Sequence, residues 1–427
     1  MSLSRKSFLQ RLGVGVVGLS AARLFGAGTE SVLPQLPTFR DSLDPTYWGA
    51  VRDAYRFDPQ LHYFNTGGLG PCVDNVRQLV DEIAASLEHH VETGHHHYEE
   101  VRKVMAGFLD CGADEVAFVR NATEGNGIIA GGLALERGDE VIFESHAHPG
   151  GSFPWLLQAQ RRGIAVRLFE PDPESPQGNL ERIKELITPR TRVVQVSHVT
   201  APTGIVMPVT AIAKLCAQHG MWFHIDGAQS AGMFPFSLRE IGCDSYATSG
   251  HKWLGAPRET GVLMVRREKL DAVTPSLVGA YSGEVESLPG PLEFFAGAGR
   301  YEYGTRDSAK AFGLIGAVRW QEQVGRHQIA EHGRSLTERL REALSAVPDL
   351  EILTPSHPQL RASMLTVRSP RLSYRDLFGQ LWGQHQMRCR PVSEQELNAV
   401  RISCHLFNRA DEIDQLATAI DQAVRSA

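Results

Sequence analysis

The sequence lacks several features that would assign a function class directly. It has no basic excess and no block of like charges, and its 427 residues carry a formal net charge of -6, which argues against nucleic acid as a partner. Its six cysteines are scattered, without a CxxC pair or metal-ligand spacing, so neither a disulfide framework nor a zinc site is indicated. The composition, 42% hydrophobic, is that of a globular protein large enough for more than one domain.

The amino terminus differs in composition from the rest of the chain. Residues 1–28 join a basic start to a Gly-, Ala- and Val-rich stretch that Arg23 interrupts, which is too short and too weakly apolar for stable membrane anchoring. The segment SRKSFLQ resembles a twin-arginine export signal, with Lys6 in place of the second arginine. We therefore expect a periplasmic protein. A frayed amphipathic leader on a cytoplasmic protein is the alternative.

From about Asp114, short apolar runs alternate with segments of helical spacing. Runs such as EVAFVR, DEVIFES and WFHIDG are separated by segments such as NLERIKELI, which predicts an α/β fold with a largely parallel sheet. From about Ser308, long amphipathic helices and a few strand-like runs predict a smaller α+β domain at the carboxyl terminus. We divide the chain into an arm that packs with the small domain (29–64), a large domain (65–307) and the small domain (308–427).

Polar residues follow several of the predicted strands, and ligands of such sheets bind at the carboxyl ends of strands. Thr123 and Glu124 stand at the start of a predicted helix, where free N–H groups suit a phosphate. Asp226 ends the strand in WFHID, and a buried carboxylate there needs a positive partner. Lys252 follows one helical crossover and one strand later, which places it on a neighbouring strand end.

These residues have one economical explanation, a pyridoxal phosphate site. Lys252 would hold the cofactor aldehyde covalently, which requires an amine of lowered pKa. Asp226 would keep the pyridine nitrogen protonated, and Gln229 could donate to the phenolic oxygen of the ring. Ser249, His251 and the turn at Thr123 would hold the phosphate. The large domain is therefore the predicted cofactor-binding domain.

The motifs FHIDGAQSAG and SGHKWLG, with TEG and GTRD, resemble the class V aminotransferase family, which includes cysteine desulfurases and isopenicillin N epimerase. The resemblance runs from about Tyr63 to the carboxyl terminus and implies pyridoxal phosphate transferase fold type I, with a seven-stranded type of sheet. It implies that His148, in HPGGSFPW, stacks on the cofactor. It also implies that Arg401, in VRISCHLFN, grips the substrate α-carboxylate, and that Asn65 lies in a loop lining the site.

The resemblance further implies a homodimer with shared active sites. The segment YEYGTRD is similar to one whose Gly304 and Thr305 reach the phosphate of the neighbouring subunit. The predicted catalytic residues are Lys252, His148 and Asp226. The predicted cofactor contacts are Ala122, Thr123, Glu124, His148, Thr200, Asp226, Gln229, Ser249, His251, Lys252, Gly304 and Thr305. No metal site is predicted, because consecutive histidines such as His95, His96 and His97 do not face one point.

Two departures from the desulfurase pattern favour the epimerase-like branch. Where desulfurases carry Asn in SHVSNVLG, this chain has Ala201 in SHVTAPTG, so contact with the phenolic oxygen would pass to Thr200 or Thr203. The desulfurase loop with its nucleophilic cysteine is replaced by MRCRPVSEQELNAVR, in which Cys389 does not align with the nucleophile. A persulfide-forming desulfurase is therefore disfavoured.

We expect a pyridoxal phosphate enzyme that acts at Cα of an amino acid or of an amino-acid-containing substrate, by transamination, epimerisation or lyase chemistry. Together with the export signal, the resemblance extends to periplasmic members of the family that tailor a pyoverdine siderophore, which implies a peptide or siderophore type of substrate. The alternatives are a C–S lyase or cysteine-desulfurase-like enzyme and a catalytically silent binding protein with the same fold.

Overall fold

The computed structural model describes residues 33–427, of which Thr38–Ala427 form one compact unit. The predicted export signal, residues 1–28, lies outside the described residues. Within the described part, no helix is both long and apolar enough to cross a membrane.

The helices and strands are numbered here in chain order. The α-helices of the described part are α1 (Pro45–Asp53), α2 (Asp74–His90), α3 (Tyr98–Leu109), α4 (Ala122–Gly132), α5 (Pro149–Arg162), α6 (Pro176–Leu186), α7 (Val209–His219), α8 (Leu238–Ile241), α9 (Ser308–Val324), α10 (Arg326–Leu344), α11 (Tyr374–His385) and α12 (Ala410–Arg425). The strands are β1 (His62–Tyr63), β2 (Val116–Val119), β3 (Glu140–Glu144), β4 (Ala165–Phe169), β5 (Thr191–Ser197), β6 (Trp222–Asp226), β7 (Ser245–Ser249), β8 (Gly261–Val265), β9 (Gly283–Glu284), β10 (Glu293–Phe294), β11 (Glu351–Ile352), β12 (Met364–Arg368), β13 (Met387–Arg388), β14 (Arg390–Val392) and β15 (Ala399–Ser403).

Seven strands form the central sheet in the order β2-β8-β7-β6-β5-β3-β4. Neighbouring strands from β7 to β4 are parallel, and β8 is antiparallel to both of its neighbours. Strands β2, β3, β6, β7 and β8 are buried along their whole length, as in sheets that helices cover on both faces. The predicted α/β fold with a mostly parallel sheet is therefore confirmed.

A second, antiparallel sheet has the order β11-β12-β15-β14. Its core includes Leu336 and Leu340 from α10, and Ile413, Leu416 and Ile420 from α12. These positions recur every three or four residues, so each helix turns one apolar face to the sheet. This sheet and its helices form the predicted smaller α+β part of the fold.

The segment before the central sheet contacts this second part. Strand β1 pairs in parallel with β13. The indole of Trp48 stacks on the ring of His332, with 3.7 Å between centroids, and Arg52 Nη1 donates to the carbonyl oxygen of Phe407 at 2.9 Å. The exact boundaries of the arm and of the two domains stay a prediction.

The loop after β1 lies against the turn after β7. The backbone N–H of Gly70 donates to the carbonyl oxygen of His251 at 2.8 Å, and a Cβ at position 70 would overlap the carbonyl oxygen of Lys252. Glycine alone leaves room for this approach. The same loop places Asn65 beside β15, where it forms a bridge with Ser403.

Candidate active site

A cavity of about 260 Å³ opens at the carboxyl ends of β6 and β7. It is lined by Gly67, Gly68, Asn121, Ala122, Thr123, His148, Ala201, Asp226, Ala228, Gln229, Ser249, His251, Lys252, Arg390 and Arg401. The predicted strand-end residues therefore meet in one place, because parallel strands bring their carboxyl ends to one edge of a sheet.

Lys252 lies in the turn Gly250–Leu254, directly after β7. Its φ of -111° and ψ of -114° are not helical, and Gly255 N donates to its carbonyl oxygen at 3.1 Å. Burial lowers the pKa of its amine to about 8, and Arg401 and Arg390 also lower this pKa while Asp226 opposes them. The neutral form, which a nucleophilic amine requires, is therefore far more populated near neutral pH than it is for an ordinary lysine.

Asp226 is the last residue of β6 and is 5% exposed. Its Oδ1 accepts a hydrogen bond from Ala228 N at 3.0 Å, and its Oδ2 accepts one from Asn126 Nδ2 at 2.9 Å. Two N–H donors fix the direction of this carboxylate. It can therefore pair with a cationic group in the cavity.

A chain of buried side chains extends from Asp226 into the sheet. His224 Nε2 lies 2.8 Å from Asn126 Oδ1, and His224 Nδ1 lies 2.8 Å from Ser245 Oγ. Burial lowers the pKa of His224 to about 4, so the ring is neutral and donates from Nε2 to the amide oxygen. Asn126 is thereby held with its Nδ2 directed at Asp226, which makes it a positioning residue.

The start of α4 also lines the cavity. Asn121 Oδ1 caps the helix by accepting from Glu124 N at 3.0 Å, and Ala122 N donates to Ser249 Oγ at 3.0 Å. The ring of His251 lines the same space, and its buried Nδ1 has no hydrogen-bond partner among the described residues. A helix start with an unpartnered ring nitrogen beside it is a suitable place for an anion.

Arg401 lies on β15 and is 1% exposed. Its Nη1 donates to the carbonyl oxygen of Ala201 at 2.7 Å, and its Nη2 donates to Asn65 Oδ1 at 3.0 Å. Both acceptors are neutral, and its buried Nε has no partner in the described part of the chain. Burial lowers the pKa of this guanidinium to about 9. Such a cation, with no carboxylate of the described residues bonded to it, is suited to bind one from a substrate.

Comparison with known proteins assigns this arrangement to a family. The sequence model of the family Aminotransferase class-V matches residues 74–416. The chain belongs to the class V aminotransferase family. The predicted family and the prediction that the protein is an enzyme are thereby confirmed, and its cofactor is pyridoxal phosphate, as predicted.

Relatives come from two branches of the class V family. Isopenicillin N epimerase of Amycolatopsis lactamdurans is 28% identical over 393 residues, which cover 88% of this chain and 98% of the relative. A cysteine desulfurase of Klebsiella pneumoniae (strain 342) is 31% identical over 338 residues, covering 76% and 82%. The apo structure of a cysteine desulfurase from Thermococcus onnurineus NA1 has a TM-score of 0.80 at 25% identity, and covers 92% of this chain and 100% of that one.

The residues of this class V chain fit pyridoxal phosphate. An amine of lowered pKa, a carboxylate and a helix start line one cavity, as the aldehyde, the ring nitrogen and the phosphate of the cofactor require. His148 caps α5 through its Nδ1, which accepts from Gly150 N at 3.0 Å, and burial lowers its pKa. Its ring is therefore held at the cavity wall.

Gln229 is largely occupied by bonds within this class V fold. Its Nε2 donates to the carbonyl oxygen of Gly67 at 2.9 Å, and its Oε1 accepts from Trp253 Nε1 at 2.7 Å. One amide hydrogen remains for the predicted bond to the cofactor. The trio also ties the loop after β1 to the turn that carries Lys252.

The structure does not bring every predicted residue into this cavity. Glu124 accepts from Arg120 N at 2.6 Å, and the hydroxyl of Thr200 accepts from Ile205 N at 2.9 Å and bonds to Thr203 Oγ1 at 2.8 Å. Both side chains are thus engaged outside the lining, whereas Ala201 reaches it. Asn65 is not among the lining residues and contacts the site through Arg401, whose Nη2 donates to its Oδ1. Gly304 and Thr305 line two other cavities of the same chain, and their predicted roles stay predictions.

Sequence reasoning missed several residues of the site. They are the lining residues Gly67, Gly68, Asn121, Ala228 and Arg390, together with Asn126 behind Asp226. A signal existed for three of them. Asn121 and Asn126 stand in NATEGNG, around the predicted phosphate turn, and Arg390 follows Cys389 in the loop that was compared with the desulfurase loop.

Proposed function

We propose that this class V enzyme acts at Cα of an amino acid, or of the amino-acid part of a larger molecule, and that Arg401 holds the α-carboxylate of that substrate. One observation carries the proposal. Lys252, Asp226 and Arg401 face a single cavity, and Arg401 has only neutral acceptors among the described residues. The cavity therefore offers a carboxylate clamp beside a reactive amine.

The roles of the residues follow from their contacts. Bound pyridoxal phosphate supplies an electron sink for the bond that breaks at Cα. The carboxylate of Asp226, held by Asn126 and Ala228 N, favours a protonated partner nitrogen. Arg401 orients the substrate through its carboxylate, which fixes the direction of Cα. The amine Nζ of Lys252, with a pKa of about 8, can accept and return the Cα proton near neutral pH.

Reduction with borohydride tests this function. The purified protein should have a cofactor absorbance band that borohydride abolishes while the cofactor becomes fixed to Lys252, as peptide mass analysis would show. Lys252→Ala should bind the cofactor without such a link and should lose the exchange of the Cα proton with solvent for a panel of amino acids and short peptides. A tag on another lysine would contradict the assignment.

Desulfurase chemistry through a persulfide on Cys389 receives no support from the site. Cys389 is buried, and burial raises the pKa of its thiol to about 12, so the thiolate that would act as nucleophile is scarce. C–S lyase chemistry needs no such thiol and stays the second candidate, favoured by the desulfurase relatives. Loss of Lys252, Asp226 or Arg401 would have favoured a silent binding protein, but all of them are present in the cavity.

Export to the periplasm is a separate part of the proposal, supported by the signal-like residues 1–28. An exported enzyme would meet secreted or imported amino-acid derivatives, such as peptide or siderophore types of substrate. Cell fractionation of the native protein and of an Arg5→Ala, Lys6→Ala variant tests the export. A native protein found only in the cytoplasm, uncleaved, would return the function to ordinary amino-acid metabolism.

A further inference from the structure

Two arginines stand opposite each other at one wall of the cavity. Arg390 on β14 and Arg401 on β15 are direct partners in an antiparallel pair, and opposed residues project to the same face of a sheet. Both line the cavity, and both lower the pKa of Lys252. The site therefore offers two guanidinium groups, although one suffices for an α-carboxylate.

The two arginines differ in their partners. Arg401 donates to neutral oxygens, whereas Arg390 Nη2 forms an ion pair with the carboxylate of Glu394. Arg390 Nη1 is buried and has no hydrogen-bond partner in the described part of the chain. An unpartnered buried donor is unfavourable, so Arg390 has capacity for a ligand beyond its internal partner.

Glu394 stands on a segment whose backbone is strained. Gln395, Glu396 and Asn398 have φ values of 52°, 56° and 48°, in the left-handed region that side chains other than glycine seldom adopt. The segment is held by the pair of Glu394 with Arg390 and by Gln395 Nε2, which donates to the carbonyl oxygen of Ser145 at 2.5 Å. At its far end, Asn398 Oδ1 accepts from Tyr374 N at 2.8 Å. Release of Glu394 would remove one of the contacts that hold this strained segment, so the segment can change its conformation when another carboxylate takes the place of Glu394.

We propose that Arg390 is a second anion-binding residue of the substrate site, occupied by Glu394 in the free protein, and that the substrate carries a second acidic group besides its α-carboxylate. The inference rests on the proposed function, since it takes Arg401 as the α-carboxylate clamp. The distal acid replaces Glu394 on Arg390, one carboxylate for another, and the planar guanidinium can bind it through two N–H groups. The substrate class is a dicarboxylic amino acid or an acidic derivative of similar span.

Ligands without an amine test this subsite, because they cannot react with the cofactor. Succinate, glutarate and adipate are each titrated into the holoenzyme by calorimetry and compared with their monoamides, which keep the length and lose one charge. The diacid of matching length should bind at least about tenfold more tightly than its monoamide, the difference expected when a charge-assisted hydrogen bond is lost.

Variants assign the preference to Arg390. In Arg390→Gln the diacid should bind no better than its monoamide, while the affinity for the monoamide is unchanged. In Glu394→Gln the affinity for the diacid should rise severalfold, because the internal competitor is gone. Arg388→Gln is the matched control, since Arg388 is exposed, packs over the ring of Trp382 and does not line the cavity.

The proposal is overturned if no diacid is preferred over its monoamide, if none of the diacids binds, or if Arg390→Gln keeps the preference. Should Arg390→Gln fail to fold, an unchanged diacid affinity in Glu394→Gln would be equally decisive. These outcomes are distinct from a failure of the proposed function, which shows as borohydride fixation at a residue other than Lys252 whatever the affinity for diacids.

Discussion

Lys252 combines a charged amine with a position that disfavours its charge. It stands in a turn with non-helical backbone angles, between the ends of β7 and β8. Burial and two neighbouring arginines lower its pKa, and Asp226 only partly offsets them. The folded protein without cofactor therefore carries a destabilising group at the centre of its site, a frequent property of residues that catalyse.

We predict that Lys252→Met stabilises the cofactor-free protein at pH 7 by about 3 kcal/mol, since each unit of pKa shift corresponds to about 1.4 kcal/mol. The pKa of Lys252 is lower in the folded state than in the unfolded state, so the free-energy cost of burying its charged amine is greatest below pH 8. This cost disappears as the pH rises towards the pKa of the amine in the unfolded state. Urea unfolding at pH 7 and at pH 10 measures the change.

The stability difference between Lys252→Met and the native protein should therefore shrink on going to pH 10. The Lys214→Met variant is the control for the general effect of removing a lysine, because Lys214 is exposed on α7. A difference that stays constant with pH would mean that Lys252 is not desolvated as its surroundings indicate.

At the scale of elements, the site depends on contacts between segments that are distant in sequence. The loop after β1 lies on the turn after β7, Arg401 of β15 reaches the loop at Ala201, and Asn126 of α4 reaches Asp226 of β6. The side chains of Arg401 and Asp226 are thus each oriented in part by an element other than their own. This arrangement makes the close approach at Gly70 a sensitive point.

We predict that Gly70→Ala destabilises the protein by about 1–3 kcal/mol, the usual cost of forcing an extra carbon into a packed site. Its Cβ would overlap the carbonyl oxygen of Lys252, so the loop must move and the affinity for cofactor should fall. Gly49→Ala, inside α1 with open space around it, should be neutral or stabilising by up to about 1 kcal/mol. Urea unfolding and cofactor titration of both variants measure the change in stability and in cofactor affinity. Equal changes in Gly70→Ala and Gly49→Ala would contradict the prediction.

The sequence predicted those parts of the site that strand ends and motifs define. Asp226, Ser249 and Lys252 follow directly from the alternation of apolar strands with polar residues. Arg390 was missed because its partnership with Arg401 depends on the register of β14 against β15, which local periodicity does not determine.

A sequence-based prediction also does not show which side chains already use their hydrogen-bonding groups within the fold. The hydroxyl of Thr200 was expected at the cofactor, but the tight turn after β5 uses it to cap Ile205 N and to bond Thr203. Glu124 was expected at the phosphate, but it accepts from the backbone of Arg120. Which of several polar groups is consumed by a turn depends on the backbone path through that turn.

At the scale of the whole molecule, several large apolar side chains of the described residues are exposed. Leu277, Leu288, Leu292 and Phe295 are 53%, 88%, 42% and 39% exposed, in and around the hairpin formed by β9 and β10. Gly304 lies a short distance further along the chain. Such a surface is compatible with the homodimer that the resemblance to the family implies, which stays a prediction.

We predict that the protein runs as a dimer in size-exclusion chromatography with light scattering, and that Thr305 serves the active site of the partner subunit. Mixing Lys252→Ala with Thr305→Asp should then restore activity, because one of the two sites in a mixed dimer receives an intact Lys252 and an intact Thr305. If Thr305 served its own chain, both sites of the mixed dimer would stay inactive, and no activity would return.

The position of Trp253 allows cofactor binding to be followed by tryptophan fluorescence. This indole is fully buried beside Lys252, and its backbone carbonyl accepts from Gln321 of α9 and lies 2.7 Å from His405 Nε2, beyond β15. The cofactor ring that Lys252 would hold absorbs near-ultraviolet light, and it would quench the fluorescence of the neighbouring indole by energy transfer. Emission from the buried tryptophans should therefore fall as cofactor enters, and loading can be followed in real time without a label.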